Sequence, residues 1–182
     1  MEHEGRTVVV TGAAQGIGAA VAGLFAQRGA HVTGLDLAPG VIDAMAGIGG
    51  AGYAVDVSDQ EAIDEVITET MADRGRIDTL VNCAGIVRRH SFVDIPLDEF
   101  ELLWRVNVVG VLVPSQSVAR TMIDTGARGS IAPAPCGRPG ALELREKPAG
   151  GAADVRGAAA GPGPARARCA RAGSRWPAVR RS

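Results

Sequence analysis

The sequence predicts an α/β fold, a doubly wound parallel sheet of five strands in the order 3-2-1-4-5 with helices on both faces. Three observations carry this expectation. Val8-Val9-Val10-Thr11 is a β-branched run that breaks into Gly12-Ala13-Ala14-Gln15-Gly16-Ile17-Gly18 and continues at helical spacing. Short apolar runs recur down the chain with helical patterns between them, the alternation that builds parallel sheets. The second and third of these runs each end in an aspartate, Asp36 and Asp56.

Arg6 to Thr11 reads as the first strand, since three consecutive valines suit a strand buried on both faces. Gly12, Gly16 and Gly18 then let the backbone turn tightly and approach a ligand, although a packed strand-to-helix connection uses the same residues. The first helix runs from Gly16 to about Arg28, with Ile17, Val21, Leu24 and Phe25 at helical spacing and Gly29 as its stop. Its first N–H groups have no internal partner and carry partial positive charge, so a pyrophosphate sits well there.

His31 to Asp36 is the second strand, and Asp36 falls 18 positions past Gly18, close to where a dinucleotide site places a carboxylate for the ribose. Its blander role is to end the strand. A 2′-phosphate about 4 Å from that carboxylate is repelled by several kcal/mol, and neither Gln15 nor Leu37 supplies a cation. NAD is therefore expected over NADP.

A short helix, 41–46, leads to the third strand, Gly52 to Val55, which ends in Asp56-Val57. Asp56 either reaches the adenine amino group or caps the next helix, for which Ser58 to Glu61 offer further caps. Ile63, Val66, Ile67 and Thr70 form that helix's buried face, and Ile77 to Asn82 is the fourth strand, running into Cys83-Ala84-Gly85. The loop Ile86 to Phe92 falls at the carboxyl end of the sheet, where α/β proteins bind substrates. Its Arg88, Arg89 and His90 would suit an anionic, hydroxylated substrate, because guanidinium pairs bidentately with carboxylate; the loop reads also as a solvated turn.

Pro96 to Arg120 is a long helix with Phe100, Leu103, Asn107 and Val111 along one face. Asn107 interrupts that apolar stripe and, if buried, must be hydrogen-bonded, to a neighbouring backbone group in the simplest case. Pro114 removes the bond to the Gly110 carbonyl, which predicts a kink after Val113. Arg128 to Ile131 opens the fifth strand.

A chain of 182 residues with 46% apolar content suffices for one domain with a core. The three cysteines, Cys83, Cys136 and Cys169, form neither a disulfide framework nor a metal-spaced cluster, so no metal is expected and a reducing compartment is. No apolar run reaches the length of a membrane span, and Met-Glu-His-Glu-Gly lacks a secretion pattern, which makes a cytoplasmic location the expectation and a membrane partner unexpected. Charge divides the chain: residues 1–131 carry 17 acidic side chains against 9 arginines, while residues 132–182 carry 10 basic against 3 acidic. Of the last 51 residues, 38 are Ala, Arg, Gly or Pro, too few apolar groups to pack a core. The expected division is a dinucleotide-binding domain, 1–131, and a non-native or disordered tail, 132–182. A basic arm for nucleic acid would carry several lysines and interleaved aromatics, and this tail has one of each, Lys147 and Trp176.

In order and spacing, Thr11-Gly-x3-Gly-Ile-Gly18, Asp36, Asp56-Val57, Asn82-Cys-Ala-Gly85 and Val106-Asn107 resemble the short-chain dehydrogenase/reductase family over residues 5–131. Cys83, where the family has a second Asn, is a mild departure. The resemblance implies a Rossmann-like fold, homo-oligomeric assembly, and NAD(P)-dependent oxidation or reduction of a small-molecule alcohol/ketone pair. It assigns cofactor contacts to Gly12, Gln15, Gly16, Ile17, Gly18, Asp36, Asp56, Val57, Asn82, Ala84 and Gly85, and it places Asn107 in a catalytic tetrad, where it holds a water in the proton relay. The 86–92 loop, Asp94-Ile95-Pro96 and Ser115 to Arg120 resemble the gluconate and deoxygluconate dehydrogenases of the family, which implies a sugar acid.

The family's general acid/base is a Tyr, its pKa lowered by a Lys four residues on, in the helix after the fifth strand. Here the sole tyrosine is Tyr53, in the third strand, and the sole lysine is Lys147, with Glu143 four residues before it. Cys136 falls near the family's serine but among Pro133, Pro135 and Pro139. The C-terminal part of the fold is thus expected to be lacking, with the fifth strand's outer edge unpaired, apolar helix faces open and solubility poor. The alternative to an enzyme is an inactive dinucleotide-binding remnant. Ala, Gly, Pro and Arg are the residues whose codons can consist only of G and C, which points to out-of-frame reading after about Ile131.

Overall fold

The structure, a computed structural model, describes residues 2–89 and 93–133 in full, together with the backbone of residues 142–144 and 155–157. Its first half alternates as the sequence predicts: β1 (Thr7–Thr11), α1 (Gly16–Gln27), β2 (His31–Asp36), α2 (Val41–Ala46), β3 (Ala51–Ala54), α3 (Gln60–Arg74) and β4 (Thr79–Asn82). A helical run follows, α4 (Leu97–Trp104), a π-helical turn (Arg105–Val109) and α5 (Gly110–Thr125), and leads to β5 (Ser130–Pro133). The first five strands are parallel and lie in the order 3-2-1-4-5.

The period of two explains why all three valines of β1 are buried. Val8 and Val10 pack with Ala22 of α1 and with Val41 and Met45 of α2, on one side of the sheet. Val9 points the other way, among Ile63, Val66 and Ile67 of α3 and Val113, Val118 and Met122 of α5. On α3 the expected buried face is observed, and Asp59 is its cap, accepting from the N–H groups of Glu61 (3.1 Å) and Ala62 (3.2 Å). Asp56 therefore does not cap this helix.

On α1 the four apolar residues at helical spacing divide between core and solvent. Ile17 is 65% exposed and Leu24 48%, whereas Gly18 and Ala22 are buried, with Val21 and Phe25 partly so. Small residues take the inner face because helix and turn are in backbone contact: a Cβ on Gly18 would stand 2.0 Å from the Gly12 carbonyl oxygen.

The break in the long helix also differs from expectation. It lies at the π turn, one turn before Pro114, which is buried inside α5. The N–H of Gly110 reaches back five residues to the Arg105 carbonyl, the i→i−5 bond that defines a π turn. Asn107, on this turn, is exposed rather than buried, as is Phe100. By length and composition the run Leu97–Thr125, 29 residues with hydropathy 1.2, would suffice to cross a bilayer; here it packs Val113, Val118 and Met122 against the sheet.

The edge expected to be unpaired beyond β5 is corrected too. Two three-residue antiparallel strands, β6 (Leu142–Leu144) and β7 (Val155–Gly157), continue the sheet, with Ser130 opposite Glu143 and Ile131 opposite Leu142. An open edge carries unpaired N–H and C=O groups that favour such additions whatever the side chains. The rest of the 132–182 segment beyond Pro133, including Cys136 and Lys147, lies outside the described residues, as does His90.

At the amino end of the strands, Asp78 is buried and accepts from the Thr7 N–H (2.9 Å) and from Arg76 Nε (3.0 Å), with Arg6 3.9 Å away. Its backbone bonds Thr7 on one side and Ser130 on the other, so one residue ties β1, β4 and β5 together.

Candidate functional site

The carboxyl ends of the strands open into a cleft of about 490 Å³, within the range of small-molecule sites. Gly12, Gln15, Gly16, Ile17 and Gly18 form its floor, Asp36, Asp56 and Val57 one end, and Ala84 and Gly85 the other. Ten of the expected cofactor contacts are thus brought together.

The turn is built by backbone crossing. A Cβ on Gly12 would lie 2.8 Å from the Ala84 N, so the first and fourth strand ends meet only because no side chain intervenes. Gly16 has φ +58° and nothing within 4 Å of where a Cβ would stand. Behind it α1 begins without a side-chain cap on Gln15 and without an acidic residue in its first turn. Unpaired N–H donors over an open cradle make a site for an anion.

Asp36, partly buried, accepts from the Ala14 N–H (3.0 Å) and the Ala38 N–H (2.9 Å), which fixes the carboxylate at the cleft wall between the glycine turn and its own strand. At the end of β3, Asp56 accepts the N–H (2.8 Å) and the hydroxyl (2.7 Å) of Ser58 on Oδ1, and an Arg105 Nη (3.2 Å) on Oδ2. Burial pushes its pKa up, but the Ser58 hydrogen bonds and the Arg105 charge outweigh it and leave the carboxyl below its ordinary value.

The fourth strand's end is held by two side chains. The Thr11 hydroxyl accepts from the N–H groups of Cys83 (3.1 Å) and Ala84 (3.0 Å). Asn107 clamps Ile86, two residues on, from the π turn: the Ile86 N–H donates to its Oδ1 and its Nδ2 donates to the Ile86 carbonyl, each at 2.9 Å. Gly85 makes room for this clamp, since a Cβ there would stand 3.2 Å from Asn107 Oδ1. Asn82 does not line the cleft. It is buried beneath it, donating to the Ser115 hydroxyl (3.0 Å), while its Oδ1 has no partner among the described residues.

Arg88 and Arg89 are exposed and outside the cleft lining, and Arg88 pairs with Glu99 at 3.3 Å. Tyr53 lies on β3 against the core beneath α3, away from the lining. Burial, then the hydrogen bond and charge of Glu69 and the charge of Asp73, push its pKa up, the opposite of what proton abstraction near neutral pH requires. Among the described residues no three His, Cys, Asp or Glu side chains are grouped to hold a metal.

Sequence reasoning missed Leu37, Val55, Cys83, Ile86, Leu102, Arg105 and Val106 as lining residues. Thr11 had a legible signal, a hydroxyl closing a run of valines; Arg105 had only its position two residues before Asn107.

The family described as short chain dehydrogenase matches residues 6–133. The chain is 37% identical over 134 residues to the 2,3-dihydro-2,3-dihydroxybenzoate dehydrogenase of Bacillus subtilis, covering 70% of this chain and 51% of that protein. It is 35% identical over 129 residues to the D-threitol dehydrogenase of Mycolicibacterium smegmatis, covering 68% and 50%. A crystal structure of a short-chain type dehydrogenase/reductase from Mycobacterium marinum superposes with a TM-score of 0.67 at 34% identity, covering 72% of this chain and 56% of that one. The chain spans about half the length of the curated relatives it matches. With its glycine turn, its 3-2-1-4-5 sheet and this match across most of its length, the chain belongs to the short-chain dehydrogenase/reductase family of oxidoreductases.

Proposed function

We propose that the cleft binds NAD and that residues 1–131 are the cofactor-binding unit of an oxidoreductase acting on a hydroxylated alcohol/ketone pair. The observation that carries this reading is the uncapped start of α1 over the open Gly16 cradle, facing the anchored Asp36 carboxylate. Gly12 to Gly18 would hold the pyrophosphate, and Asp36, with two of its roughly four lone-pair sites taken, would accept the ribose hydroxyls. Asp56 and Val57 would face the adenine, and Ala84 and Gly85 the nicotinamide ribose, with Asn82 holding their strand end from beneath and Asn107 beside them. The bound cofactor supplies the hydride acceptor. A 2′-phosphate would meet the Asp36 charge, and the one cation in the described lining, Arg105, is engaged by Asp56 and Ser58. NADH fluorescence titration tests the reading: binding tighter for NADH than NADPH, with the gap closing in Asp36→Ala, supports it, and equal affinities for the two sink the NAD preference.

A sugar acid is the narrower substrate reading, with Arg88, Arg89 and His90 toward its carboxylate. It draws on the position of Arg88 and Arg89 past the carboxyl end of β4 and on the relative whose named substrate carries both hydroxyls and a carboxylate. Turnover of gluconate-type substrates with NAD tests it, in a reducing, cytoplasmic setting consistent with the free Cys83. Asn107 would act in the proton relay.

The second reading, favoured by the placement of Tyr53, is a dinucleotide-binding remnant without turnover. NADH binding with no activity toward any alcohol tried would support it. Its companion is that residues 132–182 are read out of frame. Translating codons 128–182 in the other frames decides that point: recovery of Tyr-x3-Lys supports it and its absence removes it.

A further inference from the structure

We infer that Arg105 is a positioning residue for adenine recognition, holding the Asp56 carboxylate from the same π turn that carries Asn107. The inference rests on the reading of the cleft as an NAD site. Three side chains close a ring at the end of β3: Arg105 Nε donates to the Ser58 hydroxyl (2.9 Å), that hydroxyl donates to Asp56 Oδ1 (2.7 Å), and an Arg105 Nη donates to Asp56 Oδ2 (3.2 Å). Oδ1 already takes two donors with the Ser58 N–H, so Oδ2, with one, is the oxygen left to accept a further N–H from a ligand. Arg105 sets where that oxygen points.

Its exposure argues for a ligand role. The Arg105 side chain is 63% exposed, and an ion pair so open to water adds little to folding. Arg105 nonetheless lines the cleft beside Asp56 and Val106. Two residues on, Asn107 clamps Ile86 at the opposite end. A single π turn thereby reaches both ends of the cleft, and irregular turns of this kind occur frequently at functional sites.

The test compares NADH with its hypoxanthine analogue, which lacks the 6-amino group, by fluorescence titration of the full chain. Wild type is expected to prefer NADH. Arg105→Gln should weaken NADH about tenfold, the size of one charge-assisted hydrogen bond, and leave the analogue within about twofold. Arg105→Lys should restore most of the loss, and Arg105→Gln added to Asp56→Asn should cost nothing more. Unchanged NADH affinity in Arg105→Gln overturns the inference, as does equal weakening of both dinucleotides or a wild type that does not tell them apart. A wild type that binds neither removes the NAD reading and this inference together.

Discussion

Gly16 and Tyr53 carry opposite messages about the same site. Gly16 combines a left-handed backbone with empty space, so a side chain there strains the turn and fills the cradle at once. Gly16→Val is expected to abolish NADH binding while lowering stability by only about 1–2 kcal/mol, checked by titration alongside urea unfolding. Tyr53 is the one tyrosine, and its raised pKa reflects burial and the acidic neighbours Glu69 and Asp73. A phenol whose folded pKa lies above the unfolded value contributes stability that is full below about pH 10 and is lost as pH rises through the folded pKa. Ultraviolet titration should place Tyr53 ionisation above its ordinary midpoint, and Tyr53→Phe should remove that part of the alkaline instability. A midpoint near neutrality would return Tyr53 to contention as a proton acceptor.

The elements were legible where their pattern is local. Glycine spacing and valine runs placed β1, α1 and β2 within a residue or two, since period and punctuation act over a few positions. On α1 apolar spacing alone does not mark the inner face: Ile17 and Leu24 are exposed, while closeness to the Gly12 backbone puts Gly18 and Ala22 inside. The π turn escaped because the residue that announces a break, Pro114, lies inside α5 and beyond the turn, while Arg105–Val109 carries no breaker of its own. Asp78 shows how strands are tied at the end away from the cleft. Asp78→Ala leaves the buried Thr7 N–H without its side-chain acceptor and releases the half-exposed Arg6 and Arg76 to water, and should cost about 1–3 kcal/mol in chemical denaturation. A loss below about 0.5 kcal/mol, ordinary for a surface change, would show that the network holds nothing together.

Over the molecule as a whole, the helical run beside the cleft leaves large apolar groups in solvent. Leu97, Trp104 at 55% and Leu112 at 51% are exposed along it, a pattern that favours association. The chain of residues 1–182 is expected to bind a hydrophobic dye and to self-associate with rising concentration in sedimentation velocity. A monodisperse monomer with a sharp, cooperative thermal transition would contradict this. The sheet expected to stop at β5 continues through β6 and β7, because backbone groups at an edge pair without regard to side-chain pattern, and no reading of apolar periodicity detects that.

Chain order and local pattern were enough for the glycine turn, the Asp36 strand end and the alternation of strands and helices. Each depends on residues near one another in sequence. Folding alone settled the contacts that make the cleft: Thr11 to Cys83, 72 residues apart, Arg105 to Asp56, 49 apart, and Asn107 to Ile86, 21 apart. Those bonds exist because strand neighbours and one π turn bring remote loops within about 3 Å, a distance that periodicity does not encode.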